Sequence, residues 1–174
     1  MIKIYDNFLP EWLHNRVKEQ LLNPYFNWNF PSFGNIDADI STACFTNTPY
    51  IHNQVENFKG CDALRYALDC WLFENKDIFE LEYLSRCLIN FYTPGQNTGW
   101  HQDIPDDKNV YSLIYYVTNS DGGTEFENNK QIVHKENRLL FFNSSKLHTP
   151  ITSTLPRRIS VNWIMKGKIK NETI

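Results

Sequence analysis

From Tyr83 onward the chain is divided into short segments rich in β-branched and aromatic residues, a composition that favours strands. Turn signals such as TPGQNTG and NSDGG separate five of these segments, which cover 84–92, 110–118, 131–135, 137–143 and 157–165. No helical pattern lies between them. Short strands in regular succession predict an antiparallel sandwich or jelly roll, and such a barrel can hold a small-molecule or metal site at its open mouth.

A short strand at residues 2–5 and two helices are predicted before this region. The first helix begins near Pro10 and carries apolar residues at four-residue spacing, namely Leu13, Val17 and Leu21. The second covers about Cys61 to Glu74, with an apolar stripe formed by Leu64, Leu68, Trp71 and Leu72. The predicted fold class is therefore α+β, with N-terminal helical support over about 1–80 and a jelly-roll core over about 83–165.

Length and charge limit the classes of function. At 174 residues the chain suits one domain, 1–174, with a single core. The net charge is −3, and the short basic tail at 166–170 is no nucleic-acid footprint, so nucleic-acid binding is disfavoured. No apolar run approaches the roughly 18 residues of a membrane span, so no membrane partner is expected. The oligomeric state is not predicted.

A cytoplasmic location is expected from two features of the sequence. Asp6 and Glu11 interrupt the N-terminal stretch where a signal peptide needs an apolar core. The four cysteines form no CxxC pair and lie far apart. This spacing favours reduced, buried thiols over a disulfide framework or a zinc site.

The segment GWHQDIP, residues 99–105, sets His101 and Asp103 two positions apart. In an extended chain alternate side chains point to the same side, so this imidazole and this carboxylate can converge on one metal ion. An HxD pair alone is weak evidence, because five histidines produce one by chance about 20% of the time. A metal site therefore needs a third ligand.

His148 is the best third ligand, because it follows LLFFN and a short polar turn and so begins a new segment. The remaining histidines, His14, His52 and His134, are better explained as surface or structural residues. Two histidines and one carboxylate form the facial triad of non-haem Fe(II) sites, which leaves three coordination positions open. A structural zinc site would be closed by cysteines, and none lies near either histidine in the sequence.

A candidate anion site lies nine residues after His148, at Arg157, which begins the segment RRISVNW. Strand alternation places Arg157 on the same face as Trp163 and on the opposite face from Arg158. An inward arginine is costly without an anionic partner, and one end of a dicarboxylate could supply it. Two alternatives stay open: Arg158 faces inward while Arg157 faces solvent, or either arginine makes a structural ion pair.

The order of HQD, GGTEF, LLFFN, His148, Arg157 and Trp163 resembles the Fe(II)- and 2-oxoglutarate-dependent dioxygenases, specifically their prolyl 4-hydroxylase-like branch. The resemblance covers about Ile89 to Met165, close to half the chain. It is nearest to the oxygen-sensing and bacterial prolyl hydroxylases, through segments similar to NFYTPGQNTGWHQD and IYYV and through Arg-x5-Trp. It implies a cupin-like double-stranded β-helix, in agreement with the strand pattern.

The resemblance also implies roles for individual residues. Those that would bind iron are His101, Asp103 and His148. Those that would contact 2-oxoglutarate are Arg157 at its far carboxylate, Tyr116 beside that salt bridge, Ile114 in the same pocket, Tyr92 at the iron-proximal end and Trp163 as the opposite wall. The anion partner is arginine where collagen-type relatives commonly have lysine. Glu125 stands where a smaller or apolar side chain is usual, and it receives no role.

The implied activity is a dioxygenase that uses Fe(II), 2-oxoglutarate and O2, with ascorbate as a stimulant, and releases succinate and CO2. The implied substrate is a prolyl residue in a peptide or protein, and the segment Phe30 to Tyr50 is predicted to be a loop that closes over it. Two alternatives remain. One is an oxygenase acting on a nucleobase, nucleotide or other small molecule, and the other is a non-catalytic cupin-like binding module.

Overall fold

A computed structural model of the chain describes residues 1–29, 44–52 and 61–170. Within these ranges the helices and strands follow one another as β1 (Ile2–Asp6), α1 (Glu11–Leu22), β2 (Phe45–Ile51), α2 (Asp62–Glu74), β3 (Phe79–Tyr92), β4 (Val110–Tyr116), β5 (Gly123–Phe126), β6 (Gln131–Val133), β7 (Arg138–Asn143), β8 (His148–Ile151) and β9 (Arg158–Ile169). The predicted order, helices early and strands late, is confirmed.

The strands of the described ranges form two antiparallel sheets. Six strands make the larger sheet in the order β1-β7-β4-β9-β3-β2, and three make the smaller sheet in the order β6-β5-β8. β9 lies near the centre of the large sheet, where it pairs with β3 on one side and β4 on the other. Two antiparallel sheets with supporting helices confirm the predicted α+β jelly roll, a double-stranded β-helix.

The two helices cover one face of the large sheet. The apolar positions predicted for α1, Leu13, Val17 and Leu21, are all buried there. Their partners include alternate residues of the central strands, such as Leu113 and Tyr115 on β4. Burying one such side chain stabilises the fold by about 1.5–3 kcal/mol, so this outer core is the main source of stability.

A second, smaller core lies between the two sheets. It consists of Ile114, Tyr116, Phe126, Ile132, Leu140 and Phe142. Because side chains alternate along a strand, each central strand contributes one face to the helices and the other to this inner space. The inner face is where polar side chains can meet without reaching solvent.

The structure differs from the expected strands mainly at their ends. β3 begins at Phe79 and β9 continues to Ile169, because the two pair along their full lengths. β5 and β8, four residues each, were not predicted as strands. In the segment predicted to close over a substrate, residues 45–50 belong to β2, whereas 30–43 lie outside the described residues.

The cysteines, His14 and the helices can also be compared with what the sequence predicts. All four cysteines are free thiols. His14 is buried, with Nδ1 2.5 Å from the Tyr115 hydroxyl and Nε2 2.8 Å from the Glu136 carboxylate, so its structural role is confirmed. Across the described ranges, no helix combines the length and hydropathy that a membrane crossing requires.

Candidate metal centre and anion pocket

His101, Asp103 and His148 come together beside the inner core. Each offers one ligand atom, and these three atoms all lie within 4.8 Å of one another. His148 Nε2 lies 3.8 Å from Asp103 Oδ2. The backbones of the two histidines form an isolated antiparallel bridge in which each N–H donates to the carbonyl of the other at 2.9 Å. This bridge is what brings the third predicted ligand to the HxD pair.

Each imidazole is oriented by the backbone carbonyl two residues before it in the chain. Nδ1 of His101 lies 2.9 Å from the carbonyl of Gly99, and Nδ1 of His148 lies 2.9 Å from the carbonyl of Lys146. A carbonyl only accepts, so each Nδ1 carries the proton and each Nε2 keeps a lone pair for a metal. Burial lowers the pKa of His148 more than the Asp103 carboxylate raises it, which favours the neutral, metal-binding ring.

The Asp103 carboxylate is fixed by neutral donors. The Ser112 hydroxyl donates to Oδ2 at 2.6 Å, and the Asn162 side-chain amide donates to Oδ1 at 2.9 Å. Asn162 Oδ1 is buried and has no hydrogen-bond partner among the described residues. Two oriented imidazole nitrogens and one carboxylate oxygen are the ligands of a facial triad, which holds a divalent metal with open coordination positions. The unpaired Asn162 Oδ1 beside them could accept a hydrogen bond from a group bound at such a position.

A cavity adjoins the two histidines. Its lining comes from five strands and the loop that carries His101, and it comprises Asn90, Tyr92, His101, Ile114, Thr124, His148, Pro150, Arg158, Ser160 and Asn162. Most of this lining is polar, although the cavity lies against the inner apolar core. The cavity is therefore suited to a small polar ligand that contacts the metal site at one end.

Arg158 provides the positive charge of this cavity. Its guanidinium donates to the carbonyls of Gly123 at 2.8 Å and Ile151 at 2.5 Å, and it lies 4.8 Å from the centre of the Tyr92 ring. Only 2% of Arg158 is exposed, and among the described residues no carboxylate lies within 4 Å of it. Burial lowers its pKa. A buried cation with only neutral partners favours an anionic ligand.

The prediction that Arg157 faces inward is wrong. Arg157 is exposed and has a φ of 63°, and β9 begins only at Arg158. The left-handed backbone at Arg157 is held where its carbonyl accepts a hydrogen bond from the Thr118 hydroxyl at 2.9 Å. Arg158 therefore shares the inner face with Ser160 and Asn162, which is the alternative that the sequence left open.

Trp163 also lies elsewhere than predicted. It is fully buried in the outer core, where its ring stacks on Tyr115 with centroids 6.1 Å apart, so it cannot form a wall of the cavity. The structure does place Tyr92 and Ile114 in the cavity lining, as expected. Tyr116 faces inward, and its hydroxyl shares a 2.6 Å hydrogen bond with Thr124, a lining residue. Burial raises the pKa of Tyr116 to about 12.

Gly122 and Gly123 of the GGTEF segment have a structural role in the site that was not predicted from the sequence. A Cβ on Gly123 would lie 2.4 Å from the carbonyl oxygen of Ile132, and one on Gly122 would lie 3.2 Å from Arg158 Nη1. Glycine is thus needed for the close approach that brings β5 to the guanidinium. Glu125 points away from the cavity, since it accepts a hydrogen bond from surface Gln131 at 3.2 Å.

Residues 87–165 match the family model described as the 2OG-Fe(II) oxygenase superfamily. The matched interval contains His101, Asp103, His148 and Arg158. This match confirms the resemblance seen in the sequence, and it gives Fe(II) as the metal and 2-oxoglutarate and O2 as the co-substrates. Comparison with curated proteins gives no match.

Several solved structures share the fold. A prolyl hydroxylase from Trichoplax adhaerens, in complex with a hypoxia inducible factor oxygen degradation domain peptide fragment, is 19% identical with a TM-score of 0.72, over 95% of this chain and 83% of that one. A prolyl-4-hydroxylase from Pseudomonas putida is 17% identical with a TM-score of 0.67, over 95% and 92%. The viral collagen prolyl hydroxylase of Paramecium Bursaria Chlorella virus-1, as a 2OG complex, is 18% identical with a TM-score of 0.58, over 95% and 96%.

Proposed function

We propose that this Fe(II)- and 2-oxoglutarate-dependent oxygenase hydroxylates a prolyl residue in a peptide or protein. The observation that carries the site assignment is the Arg158 guanidinium, which is buried without a carboxylate partner among the described residues and lines the same cavity as His101 and His148. The prolyl substrate is supported by the three solved neighbours described above, which are prolyl hydroxylases, one of them in complex with a peptide.

In this proposal His101, Asp103 and His148 hold the metal. Bound there, Fe(II) supplies the chemistry that couples oxidative decarboxylation of 2-oxoglutarate, which yields succinate and CO2, to insertion of an oxygen atom into a substrate C–H bond. Ser112 and Asn162 keep the Asp103 carboxylate in one orientation. The carbonyls of Gly99 and Lys146 keep both imidazoles in the tautomer that presents Nε2 to the metal.

The co-substrate is oriented from the far end of the cavity. Arg158 would bind its distal carboxylate, with the Thr124 hydroxyl beside it as a neutral donor. Thr124 is itself held by Tyr116 through their 2.6 Å hydrogen bond. Tyr92 covers the guanidinium with its ring. These contacts would fix one end of a dicarboxylate so that its other end reaches the metal, which is a contribution of positioning rather than of proton transfer.

Co-substrate binding is the first test of the proposal. Anaerobic protein with Fe(II) and 2-oxoglutarate should show the weak visible metal-to-ligand charge-transfer band, and Asp103→Ala should abolish it. Asp69→Ala, the same change at an exposed aspartate of α2, is the matched control that should retain the band. Loss of the band in the control, or its absence from the unmodified protein, would argue against the site assignment.

Substrate class is the second test. Succinate release is measured with proline-containing peptides, with the same peptides carrying alanine in place of proline, and with single-stranded oligonucleotides. The proposal expects stimulation by the proline peptides alone and a gain of one oxygen atom on the proline. Stimulation by oligonucleotides but not by peptides would contradict the prolyl substrate while leaving the oxygenase intact.

A further inference from the structure

Arg86 lies on the inner face of β3, the strand that contributes Tyr92 to the cavity. β3 pairs with β9 in continuous register from Arg86, opposite Ile164, to Tyr92, opposite Arg158. Because side chains alternate along a strand, Arg86 points to the same side as Tyr92. At about 3.3 Å per residue their Cα atoms are roughly 20 Å apart. The two arginines therefore mark opposite ends of the inner face.

The Arg86 side chain extends over the metal-binding carboxylate toward solvent. Its Nη2 lies 4.0 Å from Asp103 Oδ1, which is too long for a hydrogen bond. Both Asp103 oxygens already accept from Ser112 and Asn162, so Arg86 is not required to hold this ligand. The Arg86 side chain is 36% exposed, against 4% for Asp103, and its buried Nε has no hydrogen-bond partner among the described residues.

Charge balance gives Arg86 a use once the site is loaded. Among the described residues Asp103 is the one carboxylate within 4.0 Å of it. A dication, the dianion 2-oxoglutarate, the Asp103 carboxylate and the Arg158 guanidinium sum to zero formal charge. The positive charge of Arg86 is then uncompensated, beside the metal ligands and on the side opposite Arg158, so it attracts an anion that approaches from solvent.

We propose that Arg86 binds an anionic group of the substrate, and that the preferred substrate is a peptide with an acidic side chain next to the target proline. A carboxylate matches the planar guanidinium fork, and it would accept hydrogen bonds from the Arg86 Nη groups, which have no hydrogen-bond partner among the described residues. This inference rests on the proposed function, because it assigns a specificity residue to the same reaction. Arg86 is thus a substrate-binding residue at the metal site, distinct from the co-substrate residue Arg158.

The test uses three short peptides of equal length in which proline is flanked by aspartate, alanine or lysine. Binding is measured anaerobically, with Fe(II) and 2-oxoglutarate present, from the change that each peptide causes in the charge-transfer band. The unmodified protein should bind the aspartate peptide at least tenfold more tightly than the alanine peptide, and the lysine peptide most weakly. Arg86→Gln should reduce this preference to less than twofold, and Arg86→Glu should reverse it. Arg65→Gln, at an exposed arginine of α2, should keep it.

A fourth peptide, with the aspartates kept and proline replaced by alanine, separates this inference from the proposed function. If the unmodified protein binds this peptide more tightly than Arg86→Gln does, and no proline peptide is hydroxylated, the anion site is supported and the prolyl substrate is contradicted. Equal binding of aspartate, alanine and lysine peptides by the unmodified protein would overturn the Arg86 proposal, whatever happens to proline. Binding of no peptide would overturn both. Loss of 2-oxoglutarate binding in Arg86→Gln would show that Arg86 acts by holding Asp103, which also overturns the proposal.

Discussion

The Nε–H of Arg158 donates to Nδ1 of His134 at 3.3 Å, and the His134 ring stacks on Tyr116 with centroids 4.0 Å apart. Burial, followed by the positive charge of Arg158, lowers the pKa of His134 to about 3. The imidazole is therefore neutral near pH 7, and its Nδ1 has a lone pair to accept this hydrogen bond. We therefore expect His134 to act as a positioning residue that, together with the carbonyls of Gly123 and Ile151, holds the guanidinium in place beside the cavity.

Replacing His134 should weaken co-substrate binding in a way that depends on the acceptor. His134→Leu removes the acceptor for the Nε–H and should weaken 2-oxoglutarate binding by at least tenfold, because a hydrogen bond to a charged group contributes about 1.5–3 kcal/mol. His134→Asn keeps a carbonyl oxygen near the position of Nδ1 and should stay within about threefold of the unmodified protein. Anaerobic titration of the charge-transfer band with 2-oxoglutarate measures both.

The control ligand for this prediction is 2-oxobutyrate, which has the 2-oxo acid end but no distal carboxylate. If His134 acts through Arg158, the weaker affinity of His134→Leu should be confined to 2-oxoglutarate. An equal loss for both oxo acids would mean that His134 only maintains the local packing around Tyr116.

The buried neutral His134 also predicts a pH dependence of stability. Its folded pKa of about 3 lies below the unfolded value of about 6.5, so its contribution is present above pH 6.5 and is lost as the pH falls. Between pH 7 and pH 5 the loss should reach about 2 kcal/mol, because the unfolded chain takes up a proton that the folded protein excludes. Carboxylates with lowered pKa, such as Asp6, act mainly at lower pH.

Chemical denaturation of the metal-free protein at pH 7 and pH 5 measures this effect. His148, whose pKa burial also lowers, contributes to the unmodified protein and to His134→Asn alike, so the difference between the two isolates His134. The free energy of unfolding of His134→Asn should fall less between pH 7 and pH 5. An identical fall in both proteins would contradict a buried neutral His134.

The three residues of the proposed metal site could be predicted from sequence because their signal is local. His101 and Asp103 need only the two-residue alternation of an extended segment, and His148 follows the strongly apolar strand β7 by a fixed short turn. The arginine that lines the cavity, Arg158, could not be predicted in the same way. Its direction depends on where β9 begins, and the left-handed residue at Arg157 resets the alternation.

The apolar pattern of β9 also misled the assignment of its faces. Ile159, Val161 and Trp163 form the more hydrophobic face, but that face packs under the helices in the outer core. The functional face carries Arg158, Ser160 and Asn162, which line the cavity. In this sheet the face covered by the helices is the more hydrophobic one, and the polar side chains of β9 lie on the inner face beside the cavity. Ser112 and Asn162, the hydrogen-bond donors to Asp103, were not predicted either, because their contacts with Asp103 are made between separate strands and loops.

Replacing each of the two adjacent arginines separately tests whether Arg158, rather than Arg157, binds the co-substrate. Arg158→Gln should weaken 2-oxoglutarate binding by at least a hundredfold, because it removes the charge and the fork that bind the distal carboxylate. Arg157→Gln, the matched control one residue away, should change it by less than threefold, since Arg157 is exposed. The affinities come from the charge-transfer titration, and circular dichroism checks that both variants fold. A larger effect at Arg157 would restore the assignment made from the sequence.

The left-handed backbone of Arg157 predicts a stabilising substitution. A non-glycine residue with a φ of 63° costs about 1–2 kcal/mol in the folded state, and glycine adopts this conformation without that cost. Arg157→Gly loses about 0.5–1 kcal/mol of this gain to the entropy of the unfolded chain, so it should stabilise the protein by roughly 0.5–1 kcal/mol. For a chain of this length that corresponds to a rise in Tm of about 1–4 °C in thermal unfolding. Arg157→Ala keeps the strained backbone, so its Tm should not rise. Equal Tm values for Arg157→Gly and Arg157→Ala would mean that the Arg157 side chain, rather than its backbone, determines stability at this position.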